Sequence, residues 1–281
     1  MKINNLETFI GTTQRRVALG TIISLTDPAV SELAADAGFD FTWIDSEHAP
    51  FTIQELHHHV MAVRGTPCAP FVRVPWNEHG IIKPILDLAP AGVIIPMVNS
   101  AELAREAVAA CRYPPAGNRG CGTRRATAYG AKPFAEYLKE SENEPLVIVQ
   151  IEHIDAVRNL DAILKVPGVG SVCVGPYDLS GSMGKLGQLT DPEVVQVIEE
   201  ICEKTRLAGV MLGAFGVPLA QWRKRGIHWT ALCSDCSCMF GQARLEALPA
   251  GRILDEQLDP RGAERHFFGD RRGTFVEEAL G

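Results

Sequence analysis

Eight short apolar runs, each followed by a segment with helical spacing, constrain this chain more than any other feature. They fall at residues 16–25, 39–44, 69–75, 92–98, 145–152, 171–178, 210–216 and 229–235. Their apolar residues are continuous and do not alternate with polar ones, as expected of strands buried on both faces of a parallel sheet. Helix starts punctuate the intervals: Asp27-Pro28 and Asp191-Pro192 as cap and first-turn proline, Thr52 and Ser100 as N-caps. Eight strand–helix pairs predict an α/β fold, a (β/α)8 TIM barrel. A doubly wound sheet gives no reason for the count to stop at eight. The 281 residues suffice, because such a barrel takes roughly 250. We assign residues 1–248 to the barrel and 249–281 to a C-terminal extension. The extension is charged yet carries Phe267, Phe268 and Phe275. It is either a solvated tail or a segment docked on the barrel or on a neighbouring subunit.

The net charge is −7 and the basic residues are scattered, which argues against a nucleic-acid partner. The opening stretch MKINNLETFIGTTQRR lacks an apolar signal region. No apolar run approaches the roughly 18 residues of a membrane span. The expected location is cytoplasmic, with the eight dispersed cysteines reduced.

Parallel strands in a barrel end on one face, so the residues that close each run share a rim. The run 39–44 leads directly into Asp45, Glu47 and His48; Arg73 closes the third run; Gln150 and Glu152, on one side by alternation, close the fifth; Asp178 closes the sixth. Asp87 sits late in the third helix. Carboxylates from neighbouring strands repel unless a proton or cation separates them, and an all-oxygen set suits Mg2+ or Mn2+. The alternative is that each makes a salt bridge or caps a helix. Arg73 needs an anion, either Asp45 or a bound oxyanion. His48 is the rim residue whose ordinary pKa lies near neutrality. Other signals are set aside. His57, His58 and His59 diverge around a helix and form a surface tract. Cys233, Cys236 and Cys238 read as buried free thiols. GNRGCG at 117–122 lacks a preceding strand and reads as an active-site loop.

Five stretches, IDSEHAP, FVRVP, RYPPAGNRG, VQIEHIDAVRNL and GPYDLSGSMG, resemble the HpcH/HpaI aldolases, metal-dependent class II pyruvate aldolases, over about residues 19–248. The resemblance implies a (β/α)8 barrel assembled as a homohexamer, a trimer of dimers that exchange the last helix. It implies reversible cleavage of 4-hydroxy-2-oxo acids into pyruvate, or a related 2-oxo acid, and an aldehyde. The implied metal ligands are Glu152 and Asp178, holding Mg2+, Mn2+ or Co2+. His48 is the implied base and Asp87 its orienting partner. Arg73 and Gln150 contact the substrate oxygen, Asp45 and Glu47 surround the base, and Gly175, Pro176, Tyr177 and Asp178 receive the substrate carboxylate. Tyr177 stands where better-studied members have a small residue, and His153 is also unusual. Arg119, Arg124 and Arg125 then face an acidic aldehyde, a neighbouring subunit or solvent. No strand ends in the lysine of a Schiff-base aldolase; Lys83 and Lys185 lie off the strands. The alternatives are oxaloacetate decarboxylation or a macrophomate-synthase-like cyclisation on the same scaffold, or a barrel that only binds 2-oxo acids.

Overall fold

A closed parallel barrel forms from β1 (Ala18–Ile23), β2 (Phe41–Asp45), β3 (Ala69–Arg73), β4 (Gly92–Ile95), β5 (Leu146–Ile151), β6 (Ser171–Val174), β7 (Met211–Phe215) and β8 (Trp229–Ser234), in sequence order around the ring. The structure, a computed structural model, describes residues 3–216 and 218–247. The extension 249–281 lies outside the described residues, so its two readings stay open. Among the described residues, no helix is long and apolar enough to cross a membrane.

Two apolar clusters divide each strand by parity. One side carries Ile44, Val72, Val74, Val93, Ile95, Val147, Val149, Ile151, Val172 and Val174, packed with the helices. The other carries Phe41, Trp43, Ala69, Phe71, Ile94, Ile148, Cys173, Trp229 and Ala231, which fill the barrel. Successive side chains of a strand point to opposite faces. The interior series Phe41–Trp43 therefore continues to Asp45, Ala69–Phe71 to Arg73, and Leu146–Ile148 to Gln150 and Glu152. The residues that seal the barrel and those that line its rim belong to one alternation.

Large rings in the interior demand small neighbours. Phe41, Phe71 and Trp229 contact one another edge-on or stacked, at centroid distances of 5.1–6.1 Å. A Cβ on Gly20, Gly92 or Gly213 would lie 2.4, 2.7 or 2.0 Å from the rings of Phe41, Phe71 and Trp229 respectively. Trp229 is fully buried and its indole N–H donates to Ser171 Oγ at 2.9 Å, so it cannot step aside. We expect Gly213→Ala to destabilise the protein by about 1–3 kcal/mol through overpacking, read as a lower melting temperature.

A helix, Leu6–Thr13, precedes the barrel and was not anticipated. Leu6 and Phe9 belong to the interior cluster, and Phe9 meets Phe41 and Phe71 edge-on at 5.7 and 4.7 Å. It plugs the barrel end opposite the rim. Its signal was Leu6, Phe9 and Ile10 at helical spacing. The helical segment after β5 is broken at Asn159 into Ile154–Arg158 and Leu160–Ile163.

Candidate active site

Asp45 organises the rim. Its carboxylate accepts two parallel hydrogen bonds from Arg73, Nε at 2.8 Å and Nη2 at 2.6 Å. The fork is bidentate, which matches guanidinium to carboxylate geometry. Asp45 Oδ1 also accepts from the backbone N–H groups of Glu47 and His48 at 3.2 and 3.3 Å. Ser46 ties the same turn to Arg73 O through its N–H and hydroxyl. One buried aspartate thus fixes both the arginine and the turn that bears His48. Arg73 Nη1 lies 3.0 Å from Glu47 Oε2, an ion pair without hydrogen-bond alignment, and that oxygen remains unsatisfied. The guanidinium sits over the Trp43 ring at 5.2 Å, a floor that the alternation Phe41–Trp43–Asp45 signals.

Across the barrel mouth, Glu152 is buried. Its Oε1 accepts from Met97 N at 2.7 Å, and its Oε2 from the Gln150 amide. Met97 adopts φ of 54°, a left-handed conformation that costs free energy for a non-glycine residue. This donor was missed, because a backbone N–H leaves no signature in the sequence. Gly175 closes over the pair: a Cβ there would meet Glu152 Cβ and Oε2 at 2.7 Å and Gln150 Nε2 at 3.0 Å. Gln150 Oε1 is buried and without a partner.

Asp178 is placed differently from expectation. β6 stops at Val174, and Asp178 lies exposed in the first turn of the helix Pro176–Ser182. Pro176 has no N–H to extend the ladder and its fixed φ suits a helix start. Asp178 still lies within electrostatic reach of both Glu47 and Glu152.

Burial pushes the Glu152 carboxyl up to about 7; the Met97 N–H opposes this, Glu47 and Asp178 add to it, and Arg73 opposes it. Burial likewise raises Glu47, against the pull of Arg73 and His48. The Arg73 guanidinium therefore faces three carboxylates, those of Asp45, Glu47 and Glu152, and Asp178 acts on the last two as a fourth. Such a set lacks positive charge. The excess charge and the orphaned Gln150 Oε1 fit a hard divalent cation with oxygen ligands. Among the described residues no group of three or more His, Cys, Asp or Glu side chains converges on one ion position. Protein ligation through Glu152 and Asp178 would then leave positions for water and substrate.

The other expected residues fall into two groups. His48 is at the rim, its side chain 63% exposed, with Nε2 3.7 Å from Glu47 Oε2. Asp87 is not beside it: no hydrogen bond or ion pair joins the two among the described residues. Asp87 ends the helix that returns to the opposite barrel face, where Gly122 packs against its carboxylate. Burial raises its pKa, against Arg119 and Lys83. The GNRGCG stretch is likewise on that face, because residues 112–145 join the end of the helix Ala101–Cys111 to the start of β5. It does not cover this chain's own rim.

Arg119 and Arg125 are buried there. Arg119 donates to Leu86 O at 3.0 Å and stacks on Tyr113; Arg125 donates to Leu88 O, Ala89 O and Val60 O. Their cations satisfy the carbonyls at the end of a helix, and Arg124 alone of the three is exposed. His59 corrects the surface reading of the histidine tract, being buried with its ring bonded to Ser31 Oγ at 2.7 Å. Lys83 packs by Gly120 on the opposite face, and Lys185 pairs with Asp191 and Glu193.

Relatives share this arrangement of elements. The HpcH/HpaI aldolase/citrate lyase family model matches residues 18–239. The hydroxypyruvate/pyruvate aldolase of Pseudomonas aeruginosa is 40% identical over 229 residues, covering 80% of this chain and 85% of its own. The 4-hydroxy-2-oxo-heptane-1,7-dioate aldolase of Escherichia coli is 41% identical over 217 residues, covering 77% and 82%. The crystal structure of the HpcH/HpaI aldolase from Desulfitobacterium hafniense superposes with a TM-score of 0.82 at 30% identity, over 92% of this chain and 100% of that one. The family match spans the whole barrel, from the first strand to the last helix, and this chain belongs to the HpcH/HpaI aldolase/citrate lyase family.

Proposed function

We propose that the chain is a divalent-metal-dependent aldolase that reversibly cleaves 4-hydroxy-2-oxo acids into pyruvate, or a related 2-oxo acid, and an aldehyde. The observation that carries this reading is the rim itself, where Arg73 faces Asp45, Glu47 and a desolvated Glu152, with Asp178 nearby. Glu152 and Asp178 would hold Mg2+, Mn2+ or Co2+. The bound cation would supply Lewis-acid polarisation of the 2-oxo group.

The protein's own groups do the rest. As the C3–C4 bond breaks, negative charge develops on the C2 oxygen of the pyruvate half. Arg73, clamped by Asp45 and backed by Trp43, is a fixed cation that need not reorganise to meet that charge. Gln150 offers its unsatisfied amide oxygen to the water or hydroxyl beside it. His48 takes the C4 hydroxyl proton, directly or through water, and returns it in the condensation direction. The substrate carboxylate would lie at the start of the helix Pro176–Ser182, where Gly175 N–H already donates to Ile151 O and Pro176 has no N–H.

The active unit in this reading is a homohexamer. The last described helix, Asp235–Ala247, leaves Met239, Phe240 and Leu245 exposed by 65, 47 and 63%, apolar side chains that exchange between subunits would cover. Asp87, distant from its own His48, would reach the histidine of a neighbouring copy. All eight cysteines are free thiols, which suits a cytoplasmic location.

A pyruvate-release assay with 4-hydroxy-2-oxo acids tests the proposal. Chelator should reduce turnover to background, and Mg2+ or Mn2+ should restore it. Turnover that persists after complete metal removal would refute the reading.

A further inference from the structure

The three thiols at the end of β8 are not the buried set that the sequence suggested. Cys233 is half-buried, and Cys236 and Cys238 are exposed. Their arrangement follows from an irregularity in the barrel. Gly20 pairs with Ala231, but the next residue, Thr21, pairs with Cys233, so Leu232 is an extra residue in β8. A bulge of this kind re-aims the side chain after it. Ala231 faces the barrel interior, and without the bulge Cys233 would follow it. Instead Cys233 takes the side of Thr21, with Sγ 3.5 Å from the Thr21 hydroxyl. There it meets the Cys238 thiol, carried on the first turns of the helix Asp235–Ala247.

The surrounding turn is rigid. Asp235 accepts hydrogen bonds from Ser24 N, Leu25 N, Ser24 Oγ and Cys236 N at 2.6–2.8 Å. Cys236 Sγ lies 3.4 Å from Ser24 Oγ. From this geometry we infer that Cys233 and Cys238 form a redox-active thiol pair, a modification site for small hydroperoxides on the catalytic face of the barrel.

The chemistry is a two-electron oxidation. The Cys233 thiolate attacks one oxygen of hydrogen peroxide and the O–O bond breaks, leaving a sulfenic acid and hydroxide. The Cys238 thiol then attacks the sulfenic sulfur, the disulfide forms, and water leaves. The two thiols are oxidised, the peroxide is reduced, and the released proton neutralises the hydroxide. Hydrogen bonding from Cys238 draws Cys233 below the ordinary thiol range, against burial and with help from Thr21. Burial holds Cys68, Cys111 and Cys202 up at about 12, 11 and 12, which leaves them as inert thiols.

The test is peroxide titration of the reduced protein at neutral pH, followed by thiol mapping with mass spectrometry. The expected first product is the Cys233–Cys238 disulfide, a loss of two hydrogens reversed by dithiothreitol. It should form roughly tenfold faster than any oxidation of the exposed Cys121. Cys238→Ser should retain aldolase turnover under reducing conditions, lose the disulfide and accumulate a sulfenic acid on Cys233 that a cyclic diketone traps. Initial oxidation at Cys121, a Cys236–Cys238 bridge, or an unmodified Cys233 would each overturn the assignment. The mapping of the unaltered protein decides the matter even if the variant fails to fold.

Discussion

Glu152→Gln will lose about 10³-fold or more of pyruvate release, equivalent to roughly 4 kcal/mol of transition-state stabilisation, and with it the binding of Mn2+. The substitution keeps the shape of the side chain and the acceptor for Met97 N–H. It removes the charge that a cation requires and turns the acceptor of the Gln150 amide into a donor, which Gln150 can meet by presenting its unpartnered Oε1 instead. The same variant should be more stable than the parent in the metal-free state. The folded carboxyl is raised from 4.5 to about 7, chiefly by burial, so the folded protein binds that proton more tightly than the unfolded chain. The parent therefore has its full stability below about pH 4.5 and loses part of it as the pH rises through 7. Glutamine does not titrate. The stability gap, read as a difference in melting temperature, should open across that window and level off above it, at no more than about 3 kcal/mol. Calorimetric Mn2+ titration and thermal melts at pH 5 and 8 read both effects. Wild-type turnover and Mn2+ affinity in this variant would remove Glu152 from the metal site.

Arg73 gives the second large effect, and two substitutions separate its roles. Arg73→Lys keeps a cation but loses the planar fork that grips both oxygens of Asp45. Its kcat should fall by about 10²–10³, the cost of a displaced oxyanion donor, with little change in fold. Arg73→Ala should lose at least as much activity and also about 3–5 kcal/mol of stability. The buried Asp45 carboxylate is then left with only the Glu47 and His48 amides. Adding Asp45→Ala should recover much of that stability and none of the activity. Parent-like kcat in Arg73→Lys would confine the arginine to a structural ion pair.

The rim was legible because of a period of two. Phe41, Trp43 and Asp45 alternate with Thr42 and Ile44, and the same rule carries Ala69 and Phe71 to Arg73 and Ile148 to Gln150 and Glu152. A residue-level rule of that kind needs no partner to be known. It fails where the backbone leaves the strand. Asp178 was read as a strand end, yet Pro176 had already begun a helix. Arg119 and Arg125 were candidates for substrate contact because charged residues in a loop default to the surface. Only the packed structure shows them sealing carbonyls under a helix end.

What the chain determined alone is the barrel, its count of eight, and the strand-borne half of the site, since burial on both faces and strict alternation are local properties. Tertiary structure decided everything that depends on which ends meet. It sent residues 112–145 and Asp87 to the face opposite His48, because a helix must return before the next strand starts. It set Met97 in a left-handed turn against Glu152 and inserted one extra residue in β8 that turns Cys233 towards Cys238. Those placements arise from ring closure and long-range contact, which no run of neighbouring residues encodes.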